Sequence, residues 1–150
     1  PGQGTTCFIY LPCCEHGKCE QPMKKRVDPL QGTERIMIID DEESLASVVG
    51  NLLSVLGYRT FSYTDPKEAL SSFQSAPHDF DCILTDMVMP GMGGCDLARA
   101  LHAVREDIPV IIMSGFEIDR AEENIPSHIE IVKKPVVVEE LSRIIRRLLS

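Results

Sequence analysis

Residues 35–57 read RIMIIDDEESLASVVGNLLSVLG, and this stretch decides the fold. Arg35 to Ile39 form a short apolar run that ends in acid, the pattern of a strand buried on both faces of a parallel sheet. Behind it, Leu45, Val48, Val49, Leu52, Leu53 and Leu56 recur at helical spacing, and Gly57 stands where a helix C-cap would. A strand followed at once by a helix is the start of a βαβ unit, which makes sense only if the pattern repeats.

It repeats along the chain. YRTFSY (58–63) reads as a second strand. DPKEALSSF (65–73) opens a second helix, with Asp65 as N-cap, Pro66 at the first helical position and Glu68 three residues on. FDCILTD (80–86) is a third strand, MVMPGMGG (87–94) a loop by its Pro and glycines, and CDLARALHAVRE (95–106) a third helix. IPVIIMS (108–114) is a fourth strand, a weak helical signal covers 119–124, and HIEIV (128–132) is a fifth strand. VVVEELSRIIRRLL (136–149) closes as an amphipathic helix with basic residues in its last turns. Five strands alternating with helices predict an α/β, doubly wound parallel sheet of the flavodoxin-like (βα)5 type, strand order 2-1-3-4-5.

Composition fits one domain in 150 residues, with apolar and charged fractions of an ordinary globular protein. A net charge of −8 argues against direct nucleic-acid binding. No apolar run approaches the roughly 20 residues that span a bilayer. The chain starts with Pro1, as a piece of a longer protein would. Without a secretory signal, its six cysteines read as reduced thiols. Cys13, Cys14, His16 and Cys19 have soft-ligand chemistry, but their spacing departs from the C-x2-C pairs of zinc sites.

In such sheets ligands bind at the carboxyl ends of the strands, where the strand order reverses. Strand one ends in Asp40-Asp41-Glu42, strand three in Asp86, strand four in Ser114, and strand five leads to Lys133-Lys134-Pro135. Oxygen-only ligands suit Mg²⁺, and carboxylates crowded together need a cation. An ammonium and a hydroxyl beside a metal fit an incoming phosphoryl group. Taken singly, Asp40 or Asp41 could be helix caps, Asp86 a loop residue and Lys134 a solvated surface lysine. Their joint placement at one edge favours a site.

The motifs IIDDE (38–42), LTDMVMPGMGG (84–94), MSGF (113–116) and KKPV (133–136) together resemble the receiver domain of two-component response regulators over residues 34–150. The resemblance implies that Asp86 accepts a phosphoryl group from a kinase phosphohistidine, in a reaction the receiver itself promotes. It implies that Mg²⁺ is held by Asp40, Asp41, Asp86 and the backbone carbonyl of Met87. Lys134 would pair with phosphoryl oxygens, with a cis Lys134–Pro135 bond, and Ser114 would bond the phosphoryl group and move on activation. The family often has an aromatic residue three places before this lysine, where Ile131 stands here. Val88 and Phe116 stand where side chains flank the attacking water, and neither can orient one, so slow self-dephosphorylation is expected.

GQGTTCFIYLP (2–12) resembles the end of the ATP-binding domain of histidine kinases, with Cys7 and Phe8 departing from the pattern. Residues 1–12 are then a remnant of that domain's last strand, whose exposed edge needs cover, and 13–33 a linker. The chain is thereby identified as the C-terminal receiver of a hybrid sensor histidine kinase, cytoplasmic even if its parent is membrane-anchored elsewhere. Implied partners are a kinase domain, in cis or in trans, and a histidine phosphotransfer protein; a dimer is compatible. Two rivals stand beside it. One is a phosphorylation-independent docking module. The other is a phosphatase of the haloacid dehalogenase type, which lacks its Asp-x-Asp pair here.

Overall fold

The computed structural model describes residue 8 and residues 30–117, 125–126 and 129–150. The expectations for the 1–12 strand (Phe8 apart), the cysteine group at 13–19, nearly all of the linker and the helix at 119–124 lie outside the described residues.

The chain alternates as the sequence predicts: β1 (Arg35–Ile39), α1 (Glu43–Val55), β2 (Arg59–Tyr63), α2 (Pro66–Ser75), β3 (Cys82–Asp86), α3 (Gly94–Val104), β4 (Val110–Ser114), β5 (Glu130–Lys133) and α4 (Val138–Leu148). The five strands form one parallel sheet in the order β2-β1-β3-β4-β5. β3 and β4 are buried along their whole length, which is why they read as unbroken apolar runs.

Two cores lie on opposite faces of this sheet. Met37, Ile39, Ile83, Val110 and Ile112 turn towards Phe73 of α2 and Leu97 and Leu101 of α3. Ile36, Ile38, Leu84, Ile111 and Met113 turn towards Leu53 of α1 and Leu141 and Ile145 of α4. Cys82 is fully buried on this second face, and burial pushes its thiol up to about 12.

Local signals explain the helix ends. Asp65 accepts the Lys67 amide at 2.8 Å as the N-cap of α2, with Pro66 in the first turn. Gly57 takes φ +95° just past α1, a conformation that favours glycine. One expectation shifts. The small residues Ala46 and Gly50, with Leu53, face the sheet, while Leu45, Val48, Leu52 and Val55 stay exposed. The apolar stripe of α1 is therefore wider than the core needs.

The chain enters along the α1–α4 face. Leu30 N–H donates to Ser142 Oγ at 3.2 Å and Gly32 N–H to the Leu56 carbonyl at 3.1 Å. Glu34 pairs with Arg146, whose guanidinium lies 5.5 Å from the centre of the Tyr58 ring.

Candidate functional site at the carboxyl edge of the sheet

Parallel pairing brings the ends of β1, β3, β4 and β5 to one edge. Ile39 lies opposite Thr85, Asp86 opposite Met113 and Ser114 opposite Lys133. Asp40 therefore emerges beside Asp86, at the crevice where the strand order reverses. Lys134 is held there by its own backbone, since its N–H donates to the Ser114 carbonyl at 2.6 Å. The Lys134–Pro135 bond is cis.

The Lys134 ammonium bridges the two carboxylates. It lies 2.8 Å from Asp40 Oδ2 and 2.6 Å from Asp86 Oδ1. The remaining oxygens each accept a backbone amide: Asp40 Oδ1 that of Glu42 at 3.0 Å, and Asp86 Oδ2 that of Val88 at 2.9 Å. Asp40 is only 2 % exposed and Asp86 9 %, so two buried acids share one cation. Burial works against the charge on Lys134, but the hydrogen bonds to Asp40 and Asp86 outweigh it and hold its pKa above the ordinary lysine value. Asp40 does not cap α1. It receives the amide of Glu42, the residue at the N-cap position, where no side chain makes a cap bond.

Gly94 explains how the Asp86 loop fits against α3. A Cβ there would come within 2.3 Å of the Asp86 carbonyl oxygen. Only glycine lets the first turn of α3 close on the strand end.

Other residues are placed differently. Asp41 is exposed on the turn into α1 and opens on a shallow cleft of about 280 Å³, shared with Thr64, Asp65, Pro90 and Gly91. Among the described residues, no three His, Cys, Asp or Glu side chains are grouped to hold a metal ion. The Met87 carbonyl accepts the Gly94 amide at 2.9 Å, while the N–H of the same peptide, Val88's, points to Asp86. C=O and N–H of a trans peptide point opposite ways, so this carbonyl faces away from the carboxylates, contrary to the sequence expectation. Ser114 is 1 % exposed, and its hydroxyl donates to the Phe116 carbonyl at 2.9 Å.

The donor set still suits Mg²⁺. Asp40 and Asp86 carry two negative charges against one ammonium, so the pocket keeps an excess of acid before Asp41 is counted. Mg²⁺ is commonly held by only one or two carboxylates together with water and substrate phosphate. A feature not singled out from the sequence adjoins this edge. Asp40, Lys134, Pro135 and Val136 line a largely apolar groove of about 470 Å³ with Leu45, Val48 and Leu52 of α1. The surplus width of the α1 stripe was its signal.

The family model for the response regulator receiver domain matches residues 36–146. The sensory transduction protein RegX3 of Mycobacterium tuberculosis H37Rv is 35 % identical over 116 residues, which cover 76 % of this chain and 50 % of RegX3. The sensor kinase CckA of Brucella abortus is 27 % identical over 160 aligned positions, covering 99 % of this chain and 17 % of CckA. This chain thus spans half or less of either relative. A response regulator receiver domain protein from Clostridium thermocellum has a crystal structure that superposes with TM-score 0.72 at 28 % identity, over 77 % of this chain and 94 % of that one. The sheet order, the acid–lysine edge and these matches agree: the chain belongs to the response regulator receiver domain family.

Proposed function

We propose that this chain is the phosphoacceptor receiver of a phosphorelay, taking a phosphoryl group from a kinase phosphohistidine onto Asp86. The observation that carries the reading is the Lys134 ammonium between Asp40 and Asp86. An oxygen of Asp86 attacks phosphorus, a P–O bond forms and the P–N bond to the donor imidazole breaks. Lys134 is placed to exchange its bond to Asp86 for one to a phosphoryl oxygen, and Ser114 to donate to another. Asp40, Asp41 and Asp86 would hold Mg²⁺. Because Met87 turns its carbonyl to Gly94, the backbone oxygen offered in this reading is the next one, Val88's. Bound there, Mg²⁺ would supply neutralisation of the charge that gathers on the phosphoryl oxygens.

The donor is a histidine kinase domain, in cis or in trans, and a phosphotransfer protein could take the group onward. The apolar groove on α1 begins at Asp40 and Lys134, so a partner reaching Asp86 would cover it. The match to CckA runs over nearly the whole chain, including residues ahead of the receiver model. This supports the hybrid kinase arrangement, with 1–12 a kinase remnant, 13–33 a linker and 34–150 the receiver on the cytoplasmic side. Among the described residues, no helix is long and apolar enough to cross a membrane.

The test is incubation with acetyl phosphate and Mg²⁺, read by intact mass, with Asp86→Ala as control. Gain of one phosphoryl group by the parent and none by the variant supports the reading. No gain by the parent, under conditions where it still binds its partner, would favour a docking module.

A further inference from the structure

Ser114 closes a small latch on the loop that follows β4. Its hydroxyl donates to the Phe116 carbonyl at 2.9 Å and accepts the Phe116 amide at 3.3 Å. The loop has little else to hold it. A Cβ on Gly115 would meet no atom within 4 Å. Glu117 reaches Lys133 at 3.5 Å in an exposed pair that contributes little. The Phe116 ring is 56 % exposed, so nothing in the core fixes it. Ile131, by contrast, packs against the α2–α3 core and has no aromatic ring to swing.

We infer that Phe116 is the residue through which the state of Asp86 is read at the surface. This inference rests on the phosphoacceptor reading. A hydroxyl bonded to an anionic phosphoryl oxygen is held roughly twice as strongly as one bonded to a neutral carbonyl. A phosphoryl group on Asp86 therefore draws Ser114 away from Phe116. The Phe116 carbonyl loses its donor, the latch opens, and the loop carrying the exposed ring repositions. The same bond makes the resting state self-restrained, because Ser114 is spoken for until the phosphoryl group arrives.

The chain contains no tryptophan, so Phe116→Trp places a single fluorophore on the loop. Its emission is recorded with and without beryllofluoride and Mg²⁺, while bound fluoride is followed separately by ¹⁹F NMR. The expected result is an emission shift that tracks the bound ¹⁹F signal. In the same background, Ser114→Ala should emit at the shifted position before any addition, and Ser114→Thr should restore the parent behaviour. A bound ¹⁹F signal without an emission shift overturns the latch and leaves the phosphoacceptor reading standing. So does a Ser114→Ala spectrum that matches the unliganded parent. Absence of any bound ¹⁹F signal sinks both.

Discussion

Lys134→Met removes the cation shared by Asp40 and Asp86 while keeping much of the side chain's length. The pairs at 2.8 and 2.6 Å are worth about 6 kcal/mol each as gross attraction at an effective dielectric of about 20. Most of that is offset by taking the charges out of water. Breaking one side of a buried pair nets a loss of about 3–5 kcal/mol. The Lys134 side chain keeps 23 % of its exposure, which places the expected cost near 3 kcal/mol. One carboxylate can also take up a proton to limit the repulsion. For a domain of this size the loss corresponds to a Tm drop on the order of 10 °C. The assay is urea denaturation in EDTA and again in saturating Mg²⁺. Mg²⁺ should stabilise the variant by more than it stabilises the parent, because it replaces the missing charge. The alkaline limb offers a second check. The folded state raises the Lys134 pKa, so its stabilisation is complete below the ordinary 10.5 and is lost as pH rises through the higher folded value. The variant should lack that loss. A variant within about 1 kcal/mol of the parent in EDTA, or an equal response of both to Mg²⁺, would refute the reasoning.

Three further outcomes follow from other contacts. Val88 and Phe116 are both more than half exposed and offer no side-chain hydrogen bond to a water, so phosphorylated parent should decay slowly, and Val88→Asn or Phe116→Glu should shorten its lifetime; a lifetime of seconds in the parent contradicts this. Gly94→Ala should gain about 1 kcal/mol of helix propensity but lose about 1–3 kcal/mol to the clash with the Asp86 carbonyl, so the net is loss of stability together with slower phosphorylation; a more stable, fully active variant would show that the strand end has room to move. Burial raises the Glu34 pKa, but the hydrogen bond to Arg146 outweighs it and the net shift is downward, so this pair stabilises above the ordinary glutamate value of 4.5 and its contribution fades as pH falls through the lower folded value; Arg146→Ala should cost about 1.5–3 kcal/mol at pH 7 and flatten that acid limb, and an unchanged limb would dismiss the pair.

Much of the fold was legible because β3 and β4 are buried on both faces and so must be apolar without interruption. The site was legible for the complementary reason. A sheet with two covered faces can place polar groups only at its ends, and Asp40, Asp86, Ser114 and Lys134 stand at four of them. What the sequence could not resolve was orientation within a peptide or a helix. Nothing in the letters around Met87 says which way its carbonyl turns; that follows from the Gly94 amide and the Val88–Asp86 bond. The apolar spacing of α1 likewise marks a stripe but not its buried part, which falls to Ala46, Gly50 and Leu53 because small residues let the helix close on the sheet. The Glu34–Arg146 clasp joins residues more than a hundred positions apart and has no local signature.

The central claim is that Asp86 becomes covalently phosphorylated in a pocket ordered by Lys134 and a divalent ion. Peptide mapping after borohydride trapping of acetyl phosphate-treated protein tests it most directly. The account predicts one modified residue, Asp86, whose modification disappears in EDTA and in Lys134→Met is strongly reduced. Labelling at another acid, or equal labelling of Asp86 without Mg²⁺ and without the lysine, would contradict it.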